Sequence, residues 1–508
     1  MISMYTLLEH HTPRIRHNYL YFVAFFSLVL ILLIIIRNGG SERTIVRPLT
    51  NFDDEPGTRL VSKSPNQFPP EVDSYSTCLI DSHNDITTYE LPNIEQLREW
   101  QERNDSRLDQ FNMGIHILNA YVYTDYMSIT FTARNHYHEK VYCRYYDCHK
   151  KEIAEPYETI VFPESTAMCV RKRGADYVSL VFDLDEEPQE PVKLMDRTKG
   201  YQHEFAVCLA PFHGAEVKWI QIIEFIEYYK LMGATMFYLY VAEIDNYTDL
   251  ILKDYLRTSE VEVTYLYDRF FTLPYAHHRV TITECHQRSR SHSKWTAFLD
   301  LDERIMMNET SQFPRIVDFL RTTSDPDIVS HQFQVQWVKK TEDLPEKYIN
   351  ESQLVSEMVF KKFTSTASKM AKPGLQQKCI VKSDQIGSMF IHYANLMYPG
   401  KKAVMVPPET GYIRHYREVK EGTYEWNTLK DKGPYGPFLV LEHGPFVETT
   451  IAPALDEALT KAIIKRAKFV YDKQKPPTKQ ELISPYWTTT AKEIEKWKKL
   501  YSIGSSLS

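Results

Sequence analysis

The chain has 508 residues, with 67 acidic side chains against 60 lysines and arginines, for a formal charge of −7. That mild acidity argues against a nucleic-acid partner, which would call for a dense basic face. The length leaves room for more than one domain. Its seven cysteines form no CxxC pair and no zinc-type spacing.

Residues 1–18 read as a short tail before Tyr19 to Ile36, a run that is uncharged, almost wholly apolar and broken only by Ser27. At about 1.5 Å per residue a helix there nearly spans a hydrocarbon core of about 30 Å. The run is too long for the apolar region of a signal peptide. Arg14 and Arg16 precede it while Arg37, Arg43 and Arg47 follow, so basic residues do not orient it. The glycosylation acceptors Asn104, Asn246, Asn308 and Asn350 all lie beyond the span and are usable only in a lumen. A single-pass type II membrane protein is therefore expected. Residues 37–75 are rich in Pro, Gly and charge without an apolar period, which reads as a stem.

Residues 76–199 are expected to form a small β-rich luminal domain. Its strands are HILNAYVYT, YMSITFTA, EKVYCRYY, ETIVFP and DYVSLVFD. In an oxidising lumen, Cys143 and Cys148 are the expected local bridge, and the odd cysteine count leaves one free or intermolecular. From Gly200 to about residue 445 strand and helix alternate. The order is strand 205–212, helix 217–233, strand 235–242, helix 248–258, strand 261–267, helix 281–293 and a strand ending at Asp300. That rhythm predicts an α/β domain with a mostly parallel sheet, its ligands at the carboxyl ends of the strands. Residues 446–508 read as two helices separated by KPPTKQ.

The segment WTAFLDLDERI, Trp295 to Ile305, runs an apolar strand into Asp300 and Asp302. Residues i and i+2 of a strand share a face, so the two carboxylates are expected to converge on one divalent cation carrying a nucleotide diphosphate. The chain contains its own controls. Asp183 and Asp185 have the same spacing but follow only β-strands and lead into EEPQEP, while Asp325 and Asp327 straddle a proline. Haloacid-dehalogenase phosphatases also end a strand on such a pair, with the first Asp as nucleophile. A threonine usually follows there, near the domain start; here Glu303 and Arg304 follow, on the fourth strand.

These residues, with CLAPFHGAEVKWIQIIEFIEYYKLMGATMFYLYV, EVEVTYLYDRF, QKCIVKSDQIGSMFIHYA and GYIRHYRE, resemble glycosyltransferase family 92 over about residues 204–420. That family includes a nematode enzyme adding galactose to the core fucose of N-glycans. The resemblance implies a GT-A fold, inversion, a UDP-sugar donor (UDP-galactose in that enzyme), a manganese-type ion and a Golgi membrane address. It places the metal motif on Asp300 and Asp302, with Glu303 and Arg304 orienting them. His415 is the first expectation for a further ligand and His392 the second. Arg417 shares the face of His415 on a strand, so it rather than Arg414 would meet the diphosphate. Pro211, Phe212 and Glu216 after the first strand, and Asp268 with Arg269 after the third, are expected nucleotide contacts. The general base that inversion needs stays open among Asp343, Glu357, Glu342 and Asp384. The implied reaction moves a hexose to a glycan or glycoprotein acceptor. The competing class is a non-catalytic luminal glycan-binding protein, against which the intact aspartate pair argues.

Overall fold

The computed structural model describes residues 115–132, 138–214, 216–266, 274–308, 311–418 and 444–472, all within the unit spanning residues 57–508. The expected anchor at 19–36, the stem, Cys78, Asn104, Asp268, Arg269 and the second C-terminal helix lie outside them. Among the described residues no helix is long and apolar enough to cross a membrane.

The first sheet contains β1 (His116–Val122), β2 (Met127–Thr132), β3 (Lys140–Tyr146), β4 (Tyr157–Ile160), β5 (Thr166–Cys169), β6 (Tyr177–Val181) and β7 (Val192–Asp196). Their order is β4-β3-β6-β7-β1-β2-β5, antiparallel except where β1 pairs with β7. Alternation is clear on β3, where Val141, Cys143 and Tyr145 are buried between more exposed neighbours. Cys143 therefore points into the sheet's own core and bonds Cys169 at the end of β5, not Cys148. Cys148 lies beyond the strand, where the chain reverses, and is disulfide-bonded itself. The local bridge expected from CRYYDC does not form.

The second sheet begins as anticipated. β8 (His203–Leu209), α1 (Trp219–Leu231), β9 (Met236–Val241), α2 (Asn246–Arg257), β10 (Val261–Tyr265), α3 (Pro274–Ser289) and β11 (Ser293–Leu299) follow one another. The four strands pair in parallel. The sheet continues through β13 (Ile328–Phe333), β16 (Lys378–Val381) and β19 (Lys402–Met405), in the order β10-β9-β8-β11-β16-β13-β19. Because β16 runs antiparallel to both β11 and β13, while β13 and β19 pair in parallel, the sheet is mixed.

Along β8, Phe205, Val207 and Leu209 join the core on one face, while Ala206 and Cys208 join the core on the other. This is the continuous apolar run of a strand covered on both sides. α1 is buried nearly all round. It ends at Gly233, whose positive φ of 97° favours glycine and where a Cβ would collide with Val317. Asp245 caps α2, accepting the Thr248 N–H at 2.8 Å. α4 (Ile316–Arg321) precedes β13 in the chain, and α5 (Glu351–Glu357) with α6 (Val359–Lys362) follow it. Finally α7 (Pro453–Tyr471) lies on α1 and α2, with Tyr471 stacked on Tyr247 at 4.4 Å. Arg466 of α7 reaches Glu227 at 3.2 Å and Glu260 at 2.7 Å.

The third sheet is β12 (Glu303–Met307), β20 (Gly411–Glu418), β14 (Val335–Lys340), β15 (Ser365–Ala367) and β21 (Phe446–Glu448), in that spatial order. A two-stranded ribbon, β17 (Ile386–Met389) with β18 (Ala394–Met397), completes the strands.

A buried polar network joins the first sheet to the second. Glu284 of α3 accepts from the hydroxyls of Tyr121 and Tyr240, from Asn119 at 2.7 Å and from Arg288 at 3.2 Å. Arg288 and Arg197 both reach Glu262 on β10 at 3.0 Å. Each charge thus has an opposite partner, the condition for burying it. The Cys208–Cys285 disulfide ties β8 to α3. Cys379 is free and buried.

Candidate active site

β8 and β11 run side by side in register to their last residues, Leu209 opposite Leu299. The loops that follow them therefore open at the same sheet edge. After Leu299 the chain does not continue as a strand. Glu303 N–H donates to the Asp300 carbonyl at 3.1 Å, and Asp300 N–H donates to Glu303 Oε2 at 2.9 Å. This closes a four-residue turn with Leu301 and Asp302 at its centre. Arg304 is buried beneath it and donates to the carbonyls of Leu301 and Glu303 at 2.8 and 3.0 Å.

The same-face rule of a strand does not apply in this turn, and the two aspartates open on different cavities. Asp302 lines an open cleft of about 790 Å³ together with Glu216, Lys218, Lys340, Asp343 and Arg417. That volume is in the usual range for a ligand site. Asp300 instead borders a pocket of about 10 Å³ with His278, Cys285, Lys378 and Ile391.

The pairing of β12 with β20 sets Glu303 opposite His415, and Tyr416 N–H donates to the Asp302 carbonyl at 2.8 Å. His415 Nε2 then lies 3.3 Å from Asp302 Oδ2. Burial works against charge on both groups, but their mutual attraction outweighs it. The Asp302 carboxyl is held below its ordinary range and the His415 imidazole is raised. Glu303 behaves oppositely. Burial dominates over the attraction of Lys378 and pushes its carboxyl up to about 7. Asp300 is lowered, because Lys378 at 2.9 Å and His278 at 3.5 Å overcome its burial.

The remaining predicted residues divide plainly. Glu216, Asp343 and Arg417 reach the cleft. Arg414, on the other face of β20, is buried and donates to Thr366 at 3.4 Å. Pro211 and Phe212 are buried at the end of β8, with Phe212 in the core and bonded to the Tyr240 carbonyl at 2.9 Å. His392 packs its Nδ1 3.1 Å from the Gln377 carbonyl, and burial lowers its pKa to about 4. Glu357 and Glu342 pair with Lys362 at 2.6 and 3.4 Å, and neither lines the cleft. Asp384 accepts from Ser291 N–H and the Tyr201 hydroxyl, both at 2.6 Å. Asp183 sits in an exposed turn, accepting from Asp185 N–H at 3.1 Å. Of the acceptor asparagines, Asn246 starts α2, Asn308 follows β12, and Asn350 caps α5 through Gln353 N–H at 2.9 Å.

Sequence reasoning missed three groups. Lys378 bridges Asp300 and Glu303, and Glu224 on α1 stands 3.7 Å from Arg304. His213 and His277 stack at 5.7 Å near the same edge. A signal existed for Lys378 alone, since a lysine inside the apolar strand QKCIV must find a buried partner.

The family resemblance implies a divalent ion, and the residues present fit one. Among the described residues, the ring nitrogens of buried His415 make ion-pair contacts but no well-aligned hydrogen bond, and Asp300 Oδ1 and Glu303 Oε1 make none either. Among the described residues no three His, Cys, Asp or Glu side chains form a complete ligand set. Asp302 and His415 would therefore hold the ion, leaving its other positions to water and ligand phosphates, the usual habit of hard cations at nucleotide sites.

The fold and cleft define a mixed α/β protein with a charged cleft that includes the turn at the carboxyl end of β11. Residues 203–438 match the family model described as Glycosyltransferase family 92, which supports that family for the segment holding the cleft. No curated protein sequence matches the chain significantly. Among solved structures, TarS of S. aureus is similar at 12% identity and a TM-score of 0.24, over 53% of this chain and 44% of that one. The chain thus aligns with less than half of TarS. Residues 1–349 of TarS in complex with UDP-GlcNAc match at 12% and 0.23, over 53% and 73%. The mannosyltransferase PcManGT of Pyrobaculum calidifontis, in complex with GDP-Man and Mn2+, matches at 11% and 0.26, over 59% and 88%.

Proposed function

We propose that the chain is a glycosyltransferase of the GT-A type, transferring a hexose from a UDP-sugar to a glycan acceptor with inversion. Galactose from UDP-galactose, passed to fucose on an N-glycan core, is the first donor and acceptor to test. The proposed setting is the Golgi lumen, with residues 19–36 as a type II anchor. The observation that carries the reading is the Asp302–His415 pair, 3.3 Å apart, whose Asp302 lines a cleft of about 790 Å³, within the segment matching the family.

A divalent ion such as Mn2+, when bound, would neutralise charge gathering on the departing diphosphate. Asp302 and His415 would hold it, and Arg417 on the same strand face as His415 would meet the diphosphate oxygens. Asp343, which lines the same cleft as Asp302, would take the acceptor proton. As that hydroxyl's oxygen bonds the anomeric carbon, the bond from that carbon to the phosphate oxygen breaks. UDP then leaves with the electron pair.

The test is UDP release by the full-length protein, given a panel of UDP-sugars and a pool of N-glycans, with Mn2+ or with EDTA. Turnover of one donor that EDTA abolishes supports the reading and names the sugar. Folded protein that binds glycan but turns over no donor would replace it with the non-catalytic alternative.

A further inference from the structure

Lys378 is only 1% exposed, and a buried ammonium group persists only where partners offset its lost hydration. It sits on β16, beside β11, and has three partners. Its Nζ donates to Asp300 Oδ2 at 2.9 Å and to the Ile391 carbonyl at 3.3 Å, and it lies 3.5 Å from Glu303 Oε2. That Glu303 oxygen is the one that accepts the Asp300 N–H. Lysine, aspartate and glutamate thus form a closed ring around both ends of the turn, with Leu301 and Asp302 left at its crest.

The ring also sorts the two aspartates. Asp300 is committed to Lys378 beside a pocket of about 10 Å³, room for about one water and none for a hydrated cation. Asp302 takes no part in the ring and faces the large cleft. We propose that Lys378 is a positioning residue of the active site. By gripping Asp300 and Glu303 it fixes the turn, so that Asp302 alone of the pair is presented beside His415. The turn-holding role stands on the geometry alone, and its consequence for cation binding rests on the glycosyltransferase reading.

The experiment uses the full-length protein with Lys378→Met, Asp300→Asn and Asp302→Asn. One arm, free of ligand, follows hydrogen exchange across residues 298–306, with β9 as the internal control. The other measures Mn2+ affinity by electron paramagnetic resonance in the presence of UDP. Lys378→Met should speed exchange in the turn about tenfold and leave β9 unchanged. It should weaken Mn2+ binding by about tenfold, as the loss of an outer support does. Asp300→Asn should weaken it less than Asp302→Asn. Unchanged turn exchange in a folded Lys378→Met protein would overturn the proposal. So would a loosened turn with intact Mn2+ affinity, or equal losses from the two aspartate variants. If Lys378→Met does not fold, the double variant Glu303→Gln with Lys378→Met, which also removes a buried carboxylate, carries the same comparison against Glu303→Gln alone. Wild-type protein that binds no Mn2+ with UDP would sink the metal-dependent reading, while turn exchange would still decide whether Lys378 holds the turn.

Discussion

Replacing Glu224 by glutamine should leave stability nearly unchanged in acid and raise it above neutrality. Glu224 is 1% exposed on α1. One oxygen accepts Val359 N–H at 2.7 Å, and the other lies 3.7 Å from Arg304. Burial dominates over the attraction of Arg304 and Arg414, so the carboxyl titrates at about 7 in the folded protein against 4.5 when free. The folded state therefore binds the extra proton between those values, and stability falls as pH rises from 4.5 through 7. At about 1.4 kcal/mol per unit, the loss approaches roughly 3 kcal/mol above pH 7. Glutamine keeps the shape and the bond to Val359 but never ionises. Urea unfolding of both proteins at pH 5 and pH 8 isolates the effect, because the pH dependence of every other group is common to the two. A variant that loses ground to wild type between pH 5 and pH 8 would refute the reasoning and show that the Arg304 pairing outweighs burial.

Asp302→Asn and His415→Gln should each lower Mn2+-supported turnover by about 100-fold or more, since each removes one of the two proposed protein ligands; titrating Mn2+ in the UDP-release assay checks this. Asp343→Asn should lower kcat by about 100-fold with little change in donor KM, whereas Glu357→Gln, away from the cleft, should leave both alone. Equal effects of these two would remove Asp343 as the base. Replacing Cys208 and Cys285 together by alanine opens a loop of 77 residues and should cost about 4 kcal/mol of stability, read as a lower midpoint in thermal unfolding.

Much of the second sheet was open to a reader of the sequence. β8, α1, β9, α2, β10 and β11 stand close to where apolar runs and helical spacing put them, because those patterns are properties of neighbouring residues. The start of α3 at Pro274, rather than near Thr281, was missed: its first two turns, PYAHHRV, carry no apolar period. β5 and β7 are short, and β7 is only partly buried, so neither announced itself.

The sequence by itself determined that apolar strands alternate with helices up to Asp300, and that paired carboxylates follow the fourth strand. Tertiary structure alone decided what those carboxylates do. Whether Asp300 and Asp302 share a face depended on a turn closed by Glu303, not on strand periodicity. His415 rather than His392 stands beside Asp302 because β20 pairs with β12 in one register. Cys143 bonds Cys169 because β3 and β5 enclose one core. Lys378 meets Asp300 across 78 residues of chain because β16 inserts beside β11. Each is a contact between strands far apart in sequence, and no local pattern encodes which distant strand will supply a partner or in what register.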